Sequence, residues 1–248
     1  MTLSDFFYHV FEFLPRQGPG CTGATGKAFS YLPPLPADAK ILDVGCGSGT
    51  QTRDLATLTG GTITAVDNHQ PFLDMLMKRA EETGMKDRIK TVCASMDALP
   101  FGKGQFDLIW SEGAIFITGF ENGLKTWKPF LKKGGYIVVS DSAWFEPNPP
   151  PELMQWWEKE GYIPATEDQL KERVTNTGLR LLATYRLPEA GWWDHYYIPM
   201  LARIAELRKT RGADPACAAI LDSLKEEAEM YRKYKKYYGY TFFIMQNP

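Results

Sequence analysis

The feature that most constrains this chain is a short apolar strand that runs into three glycines at alternate positions. Residues 40–44, Lys-Ile-Leu-Asp-Val, have the composition of a buried strand. Gly45, Gly47 and Gly49 follow it. Glycine adopts backbone conformations closed to other residues, and its missing side chain lets a ligand lie against the main chain. A helix that begins near Thr50 directs its free N–H groups toward such a ligand. The stretch therefore predicts a strand–turn–helix corner that binds a nucleotide-like molecule.

The spacing of the glycines separates two kinds of cofactor. Dinucleotide-binding proteins carry G-x-G-x-x-G around a pyrophosphate, whereas this turn has the spacing G-x-G-x-G, with Asp43 two residues ahead of its first glycine. The pattern resembles the first motif of class I S-adenosylmethionine-dependent methyltransferases, D-x-G-x-G-x-G. The resemblance implies that the turn holds the amino acid part of S-adenosylmethionine. It implies these cofactor-binding residues at the turn: Asp43, Gly45, Gly47, Gly49 and Thr50.

A second strand, Thr62 to Val66, closes on an acid about 20 residues past the glycine turn, where a ribose-binding carboxylate is expected. We expect Asp67 to accept both ribose hydroxyls and Asn68 to bind beside it. The ribose of NAD also requires such an acceptor, so this acid alone does not distinguish NAD from S-adenosylmethionine. Phe72 either leans on the adenine or belongs to the core.

Two further strands end in polar segments. Residues 89–94 lead into Ser95-Met96-Asp97, and residues 106–110 lead into Ser111-Glu112-Gly113. The family resemblance implies that the first segment lies near the adenine amino group and the second beside the reactive methyl group. Strands that alternate with helices predict a parallel sheet with right-handed crossovers. We expect a Rossmann-like α/β fold with a doubly wound, seven-stranded, mostly parallel sheet, in which the resemblance implies an antiparallel last strand.

The length of 248 residues fits one methyltransferase domain spanning residues 1–248. We expect an N-terminal helical cap at 1–36, a cofactor-binding core at 37–141, and helical insertions at 142–178 and 188–238 on the acceptor side. In the cap, apolar residues from Phe6 to Leu14 have helical spacing and Pro15 stops the helix. The resemblance implies that Gln17 and Gly18 touch the carboxylate end of the cofactor. The alternative is a helix pair that packs on the sheet without ligand contact.

Composition bounds the partners and the compartment. The chain has 28 Lys and Arg against 30 Asp and Glu, a net charge of −2 that gives no global attraction to nucleic acid. The four cysteines form no C-x-x-C pair, so neither a disulfide framework nor a zinc site is indicated. We expect no metal, no nucleic-acid or membrane partner, a monomer or homodimer, and a cytoplasmic location. A basic, tyrosine-rich helix near residues 231–238 has the spacing of a buried stripe with solvated lysines.

Aromatic residues are concentrated in the two insertions. A sulfonium cation is stabilised by aromatic faces, and we predict a substrate-binding lid made of Trp144, Trp192, Trp193 and Tyr196. The alternative is that these rings only bury each other. His195, within this cluster, is the predicted catalytic base unless it is structural, and Glu112 is the second catalytic candidate. Asp141 ends a strand where related chains can carry Glu, which leaves its catalytic role open.

The whole length resembles a bacterial and archaeal group of small S-adenosylmethionine-dependent methyltransferases through residues 16–20, 110–115 and 234–240. The resemblance implies transfer of a methyl group from S-adenosylmethionine to a small-molecule O, N or S nucleophile, with S-adenosylhomocysteine as the product. In-line displacement under an aromatic lid mainly requires alignment and exclusion of water. The alternatives are a tRNA or protein methyltransferase, an NAD-dependent oxidoreductase, and a non-catalytic S-adenosylmethionine-binding protein.

Overall fold

Strands that alternate with helices build one sheet with helices on both faces. The computed structural model of the protein describes residues 2–248, so Met1 of the predicted cap lies outside the described residues. Seven strands form the path β3-β2-β1-β4-β5-β8-β7, and the two-residue β6 pairs with the end of β5. The strands are β1 Lys40–Val44, β2 Thr62–Asp67, β3 Ile89–Cys93, β4 Phe106–Glu112, β5 Leu131–Trp144, β6 Ala165–Thr166, β7 Arg180–Arg186 and β8 Tyr238–Gln246.

Ten α-helices are present in residues 2–248. They are α1 Leu3–Phe11, α2 Thr22–Phe29, α3 Thr50–Leu58, α4 Gln70–Glu82, α5 Phe120–Trp127, α6 Pro151–Lys159, α7 Glu167–Asn176, α8 Glu189–Trp192, α9 Ile198–Arg211 and α10 Pro215–Tyr234. A single π-helical turn, Trp193–Tyr197, joins α8 to α9. None of the described helices has both the length and the apolar content needed to cross a membrane.

Two apolar clusters pack on the two faces of the sheet. Side chains of α5 and α7, with Leu124 and Leu170 among them, pack on one face. Side chains of α1, α3, α4, α9 and α10, with Val10 and Leu76 among them, pack on the other. Successive strand residues point to opposite faces, so β1 supplies Ile41 to one cluster and Leu42 to the other. A sheet buried on both faces explains why the central strands are almost continuously apolar.

The strand order places a crevice at the centre of the sheet. The chain proceeds from β1 outward to β3 on one side and then crosses to β4 on the other side of β1. In open parallel sheets, ligands bind at the carboxyl ends of the strands where the order reverses. The loops that follow β1 and β4 therefore meet at one edge.

The predicted fold class is confirmed, including the antiparallel β8, which lies between β5 and β7. Local chain geometry sets two boundaries in the middle of the chain. The helix α5 ends at Trp127, because Pro129 follows in a short 3₁₀ turn and β5 begins at Leu131. The strand β5 pairs with β4 from Leu131 onward, with an irregularity between Phe106 and Leu108.

Three further features depend on short segments. The helix α2 ends at Phe29. The strand β6 was not predicted, because two residues carry no periodic pattern and this pair is fixed only by its contact with β5. Thr166 caps α7: its hydroxyl accepts from the Gln169 N–H, and the Gln169 side chain accepts from the Thr166 N–H.

Candidate functional site

A cavity of about 520 Å³ lies at the carboxyl edge of the sheet. Its wall includes the loops that follow β1, β2, β3 and β4, together with α1 and the segment after it. The lining residues are Phe7, Tyr8, Phe11, Arg16, Gln17, Gly18, Pro19, Gly45, Cys46, Gly47, Gln51, Val66, Asp67, Asn68, Phe72, Ala94, Ser95, Met96, Asp97, Glu112, Gly113, Ala114, Phe116 and Ile117.

The glycine turn is shaped by contacts that a side chain would prevent. Gly45 and Gly47 have φ values of 70° and 53°, in the left-handed region that favours glycine. A Cβ atom at Gly45 would lie 2.5 Å from the Cβ of Ala114, and one at Gly47 would overlap the Gln17 carboxamide oxygen. The turn therefore presents bare backbone to the cavity.

Asp67 closes the turn from the end of β2. Its Oδ2 accepts from the Gly47 N–H at 2.9 Å, and its Oδ1 accepts from the His69 N–H at 3.0 Å. Burial raises the pKa of this carboxyl, while the two backbone donors act in the opposite direction. A carboxylate oxygen accepts more than one hydrogen bond, so both oxygens retain capacity for ligand hydroxyls.

A buried ion pair lies at the other end of the cavity. Arg16 Nη2 donates to Glu112 Oε2, and the Glu112 Oε1 accepts from Thr25 Oγ1 at 2.7 Å and from Trp110 Nε1 at 2.9 Å. Both carboxylate oxygens of Glu112 are thus occupied. Arg16 lines the cavity, and its buried Nη1 has no partner within residues 2–248, so the protein leaves this cationic donor unused.

Gln17 holds the N-terminal segment against the glycine turn. Its Oε1 accepts from the Ser48 N–H at 2.6 Å, and its Nε2 donates to the Phe11 and Leu14 carbonyls at 3.1 and 3.4 Å. The side chain lines the cavity as expected. Its polar atoms are engaged with the protein, so the geometry favours Arg16 over Gln17 as the group that meets a ligand carboxylate.

The helix α1 contributes an aromatic wall. Phe7, Tyr8 and Phe11 line the cavity, and the Tyr8 ring stacks on His69 with centroids 4.2 Å apart. Glu12, just after α1, accepts from His69 Nε2 at 2.9 Å. This contact joins α1 to the loop that carries Asp67, so the wall and the ribose-binding position are fixed together.

Most of the predicted cofactor residues share this cavity. Those on its wall are Gln17, Gly18, Gly45, Gly47, Asp67, Asn68, Phe72, Ser95, Met96, Asp97, Glu112 and Gly113. Four others lie outside it: Asp43, Gly49, Thr50 and Ser111. Asp43 is buried behind the turn and accepts from Thr52 Oγ1 at 2.6 Å, and Thr50 donates to the Pro15 carbonyl. Ser111 points to the face of the sheet that packs on α5, since Trp110 and Glu112 point to the other.

The predicted lid does not line the cavity. Trp144, Trp192 and Tyr196 are buried, and Trp192 stacks on Tyr231 with centroids 4.4 Å apart. Trp193 is half-buried and lies under the Arg232 guanidinium. His195 is exposed on the π-helical turn. The aromatic spacing located a cluster, but the face toward which each ring points is set by the packing of α8, α9 and α10.

The cavity also contains residues that the sequence did not single out. Arg16, Pro19 and Cys46 flank the predicted positions, and Phe116 and Ile117 form a rim after β4. Phe116 and Ile117 are 38% and 64% exposed, which marks the rim as an apolar entrance. The signal for Arg16 was its place in the segment 16–20, but the pairing with Glu112 spans 96 residues and has no local pattern.

The residues present fit S-adenosylmethionine. The backbone cradle at Gly45 and Gly47 accommodates a chain that lacks a phosphate. The half-buried carboxylate of Asp67 matches a ribose diol, and the unpartnered Arg16 Nη1 matches a carboxylate. Within residues 2–248 no three histidine, cysteine or acidic side chains converge on a metal position.

Comparison with known proteins gives the same assignment. The family described as a methyltransferase domain matches residues 41–135. The uncharacterized methyltransferase YodH of Bacillus subtilis is 25% identical over 91% of both chains. The methyltransferase GfsG of Streptomyces halstedii is 30% identical over 43% of this chain, which spans 39% of its length.

A solved structure shares the fold over nearly the whole chain. An S-adenosylmethionine-dependent methyltransferase from Geobacter sulfurreducens, in complex with S-adenosyl-L-homocysteine, superposes with a TM-score of 0.80 at 20% identity and covers 97% of both chains. These findings show that residues 41–135 match a methyltransferase domain and that the chain has the fold of an S-adenosylmethionine-dependent methyltransferase, and the residues of the cavity fit S-adenosylmethionine as the cofactor.

Proposed function

We propose that the protein transfers a methyl group from S-adenosylmethionine to a small-molecule acceptor with an O, N or S nucleophile. The observation that carries this proposal is the arrangement in one cavity of a bare glycine turn, a ribose-type carboxylate and a fixed arginine with a free Nη1. The cavity is apolar on its open side, where Phe7 and Phe116 lie. An acceptor therefore reaches the cofactor from the apolar open side of the cavity, where the side chains exclude water.

Each polar residue has a distinct part in holding the cofactor. Asp67 accepts from the ribose hydroxyls, and Arg16 donates from Nη1 to the carboxylate. Glu112 orients Arg16, and hydrogen bonds from Arg16, Thr25 and Trp110 engage both of its oxygens. The bound sulfonium supplies an activated methyl carbon. The protein aligns it with the nucleophile and excludes water.

Known neighbours support a small acceptor. They include a geranyl diphosphate C-methyltransferase from Streptomyces coelicolor, with a TM-score of 0.64 and 18% identity, and a phosphoethanolamine N-methyltransferase from Haemonchus contortus, with a TM-score of 0.72 and 17% identity. This chain covers 76% and 60% of those chains. The net charge of −2 offers no broad basic surface for tRNA, which disfavours a nucleic-acid acceptor.

Calorimetric titration of the purified protein with S-adenosylmethionine, S-adenosylhomocysteine and NADH tests the cofactor end of the proposal. We expect micromolar binding of the first two ligands and no heat from NADH. The Asp67→Asn variant weakens binding by at least about 100-fold, because two hydrogen bonds to a charged acceptor together contribute about 3 kcal/mol or more. Asp74→Asn, an exposed position on α4, is the matched control with wild-type affinity.

Two results would contradict the proposal. Binding of NADH, with no binding of S-adenosylmethionine or S-adenosylhomocysteine, would favour an NAD-dependent oxidoreductase. Tight cofactor binding with no methyl transfer to any member of a broad acceptor panel would favour a non-catalytic S-adenosylmethionine-binding protein.

A further inference from the structure

Large apolar side chains lie exposed at the open side of the cavity. Phe7 on α1, and Phe116 and Ile117 after β4, line the cavity, although they are 44%, 38% and 64% exposed. Single apolar side chains on a surface are common, whereas a group of them around one cavity marks a binding surface. The polar groups assigned to the cofactor do not account for this group.

The cofactor occupies the polar part of the cavity. In S-adenosylmethionine the sulfonium joins the ribose to the amino acid part, so the methyl group lies between the ribose, which Asp67 binds, and the carboxylate, which Arg16 binds. A molecule that accepts the methyl group takes the space that remains. Phe7, Phe116 and Ile117 form the wall of that space on its open side.

The turn after β4 has a core side and a cavity side. It is the 3₁₀ turn Ile115–Ile117, and Ile115 is fully buried. A Cβ atom at Gly123 on α5 would lie 2.7 Å from Ile115 Cγ1, so α5 packs directly on this side chain. Because a 3₁₀ helix has about three residues per turn, an inward Ile115 leaves its two successors facing away from the core. The packing of Ile115 therefore holds Phe116 and Ile117 at the rim.

The helix α1 supplies a second apolar wall that is also fixed by the protein. Phe7 and Phe11 are one helical turn apart, and their ring centroids are 4.9 Å apart. Gln17 Nε2 donates to the Phe11 carbonyl, while Gln17 Oε1 accepts from the Ser48 N–H of the glycine turn. The aromatic pair is thus tied to the cofactor end of the cavity.

The apolar surface continues beyond the cavity. The Tyr162 ring packs on Phe116, with centroids 5.8 Å apart, and its hydroxyl donates to Asp141 Oδ1 at 3.1 Å, which fixes the ring. The next residue, Ile163, is 51% exposed. A ligand that passes the rim therefore meets further apolar surface on the loop after α6.

The charged side chains of the cavity wall belong to other segments. They are Arg16, Asp67, Asp97 and Glu112. Arg16 and Glu112 are paired, while Asp67 and Asp97 follow β2 and β3, which lie on the far side of β1 from β4. A charged group on the acceptor would leave water for an apolar wall without gaining a partner, which is costly.

We propose that the methyl acceptor is an uncharged molecule whose hydrocarbon or aromatic body lies between α1 and the turn Ile115–Ile117 and extends toward Tyr162. This inference rests on the proposed methyltransferase function and names the substrate class of the same site. Acceptors that carry a carboxylate, phosphate or ammonium group close to the nucleophile are excluded by the cost of removing that charge from water.

The test uses the full chain saturated with S-adenosylhomocysteine and measures the binding of four phenols by calorimetry. In 4-hydroxyphenylacetate and 4-hydroxybenzylamine, a carboxylate or an ammonium group replaces the terminal methyl group of 4-ethylphenol. We expect both charged probes to bind at least about tenfold more weakly than 4-ethylphenol. We expect 4-butylphenol to bind about 15-fold more tightly than 4-ethylphenol, because each buried methylene contributes about fourfold.

A rim variant places the probe in the cavity. Ile117→Ser is expected to weaken the binding of 4-butylphenol by about tenfold, because the probe loses apolar contact at the rim. Leu58→Ser is the matched control, since Leu58 is 40% exposed at the end of α3 and does not line the cavity. This control binds 4-butylphenol as tightly as the wild type.

Binding of S-adenosylhomocysteine to the wild type is measured first and reports on the proposed function separately. If this ligand does not bind, the proposed function fails and this inference with it. If it binds, three results overturn the inference alone: a charged probe that binds as tightly as 4-ethylphenol, an affinity that does not rise from 4-ethylphenol to 4-butylphenol, or equal affinity of Ile117→Ser and the wild type for 4-butylphenol.

Discussion

At the scale of single residues, the cavity depends on the buried pair formed by Arg16 and Glu112. Their side chains are 7% and 2% exposed. Burying two charges costs desolvation energy that is offset only when the remaining hydrogen bonds are made. Thr25 and Trp110 provide those bonds to the carboxylate. The buried Nη1 of the guanidinium has no partner within residues 2–248, so the hydrogen bonds of the pair are complete on the Glu112 side only.

Replacing Arg16 separates its contribution to stability from its contribution to cofactor binding. Arg16→Met leaves Glu112 as an uncompensated buried charge, and we expect a loss of about 3–5 kcal/mol in the free energy of unfolding, measured by urea titration. The double variant Arg16→Met with Glu112→Gln regains most of that loss, because the neutral amide still accepts from Thr25.

The affinity of the double variant for S-adenosylmethionine tests whether Arg16 binds the carboxylate of the cofactor. We expect it to be about 10–100-fold lower than that of the wild type, since a charge-assisted hydrogen bond contributes about 1.5–3 kcal/mol. Glu112→Gln alone is the matched control, because it retains the guanidinium. An unchanged affinity in the double variant would remove Arg16 from the carboxylate site.

At the scale of elements, α1 is the part of the cavity wall with the least support from the sheet. It presents Phe7, Tyr8 and Phe11 to the cavity, while Phe6 and Val10 are buried against the core. Glu12 ties its end to His69. A short helix held mainly by one apolar stripe opens more easily than the central strands, so its opening is expected to govern ligand access.

Hydrogen exchange with and without S-adenosylhomocysteine measures this opening. We expect amides of α1 to exchange up to about 100-fold more slowly at a ligand concentration of about 100 Kd, because a ligand that binds only the closed form stabilises it by that factor. Amides of α7, on the opposite face of the sheet, report on any general effect and change little. Equal exchange of α1 in both samples would show that the helix does not close over the ligand.

At the scale of the whole molecule, three carboxyl groups of residues 2–248 have a pKa that burial raises to about 7. They are Asp43 and Asp141, raised from 3.8, and Glu227, raised from 4.5. Each group therefore binds its proton more tightly in the folded chain than in the unfolded one. The resulting stability is present in full below the unfolded pKa and is lost as the pH rises toward the folded pKa.

The free energy of unfolding is therefore expected to fall between about pH 4 and pH 7 by up to about 1.4 kcal/mol per pH unit for each of these groups. Urea titrations at several pH values across this window measure the slope, and Asp141→Asn removes the contribution of one group. Ser111→Ala, a buried substitution without a titratable group, leaves the slope as in the wild type. An unaltered slope in Asp141→Asn would show that this carboxyl group is not held in a raised-pKa environment.

The sequence by itself determined the order of strands and helices, the glycine turn and the acid at the end of β2. These features have local causes: the period of apolar residues, the left-handed backbone that Gly45 and Gly47 require, and the common edge at which parallel strands end. The resemblance to S-adenosylmethionine-dependent methyltransferases, which implies the cofactor, rests on these stretches. The division into cap, core and insertions stays a prediction. The catalytic role of His195 and the substrate-binding role of the lid made of Trp144, Trp192, Trp193 and Tyr196 also stay predictions, although the structure places these side chains away from the cavity.

Only the tertiary structure decided what surrounds the cofactor cavity. The pairing of Arg16 with Glu112 and the aromatic wall of α1 depend on residues far apart in the chain. The spacing of aromatic residues predicted a buried face in the insertions, but not the partner on which that face packs. Trp192 stacks on Tyr231 rather than on the cavity wall because the packing of α8 against α10 sets its direction, and such packing is fixed by the sum of long-range contacts.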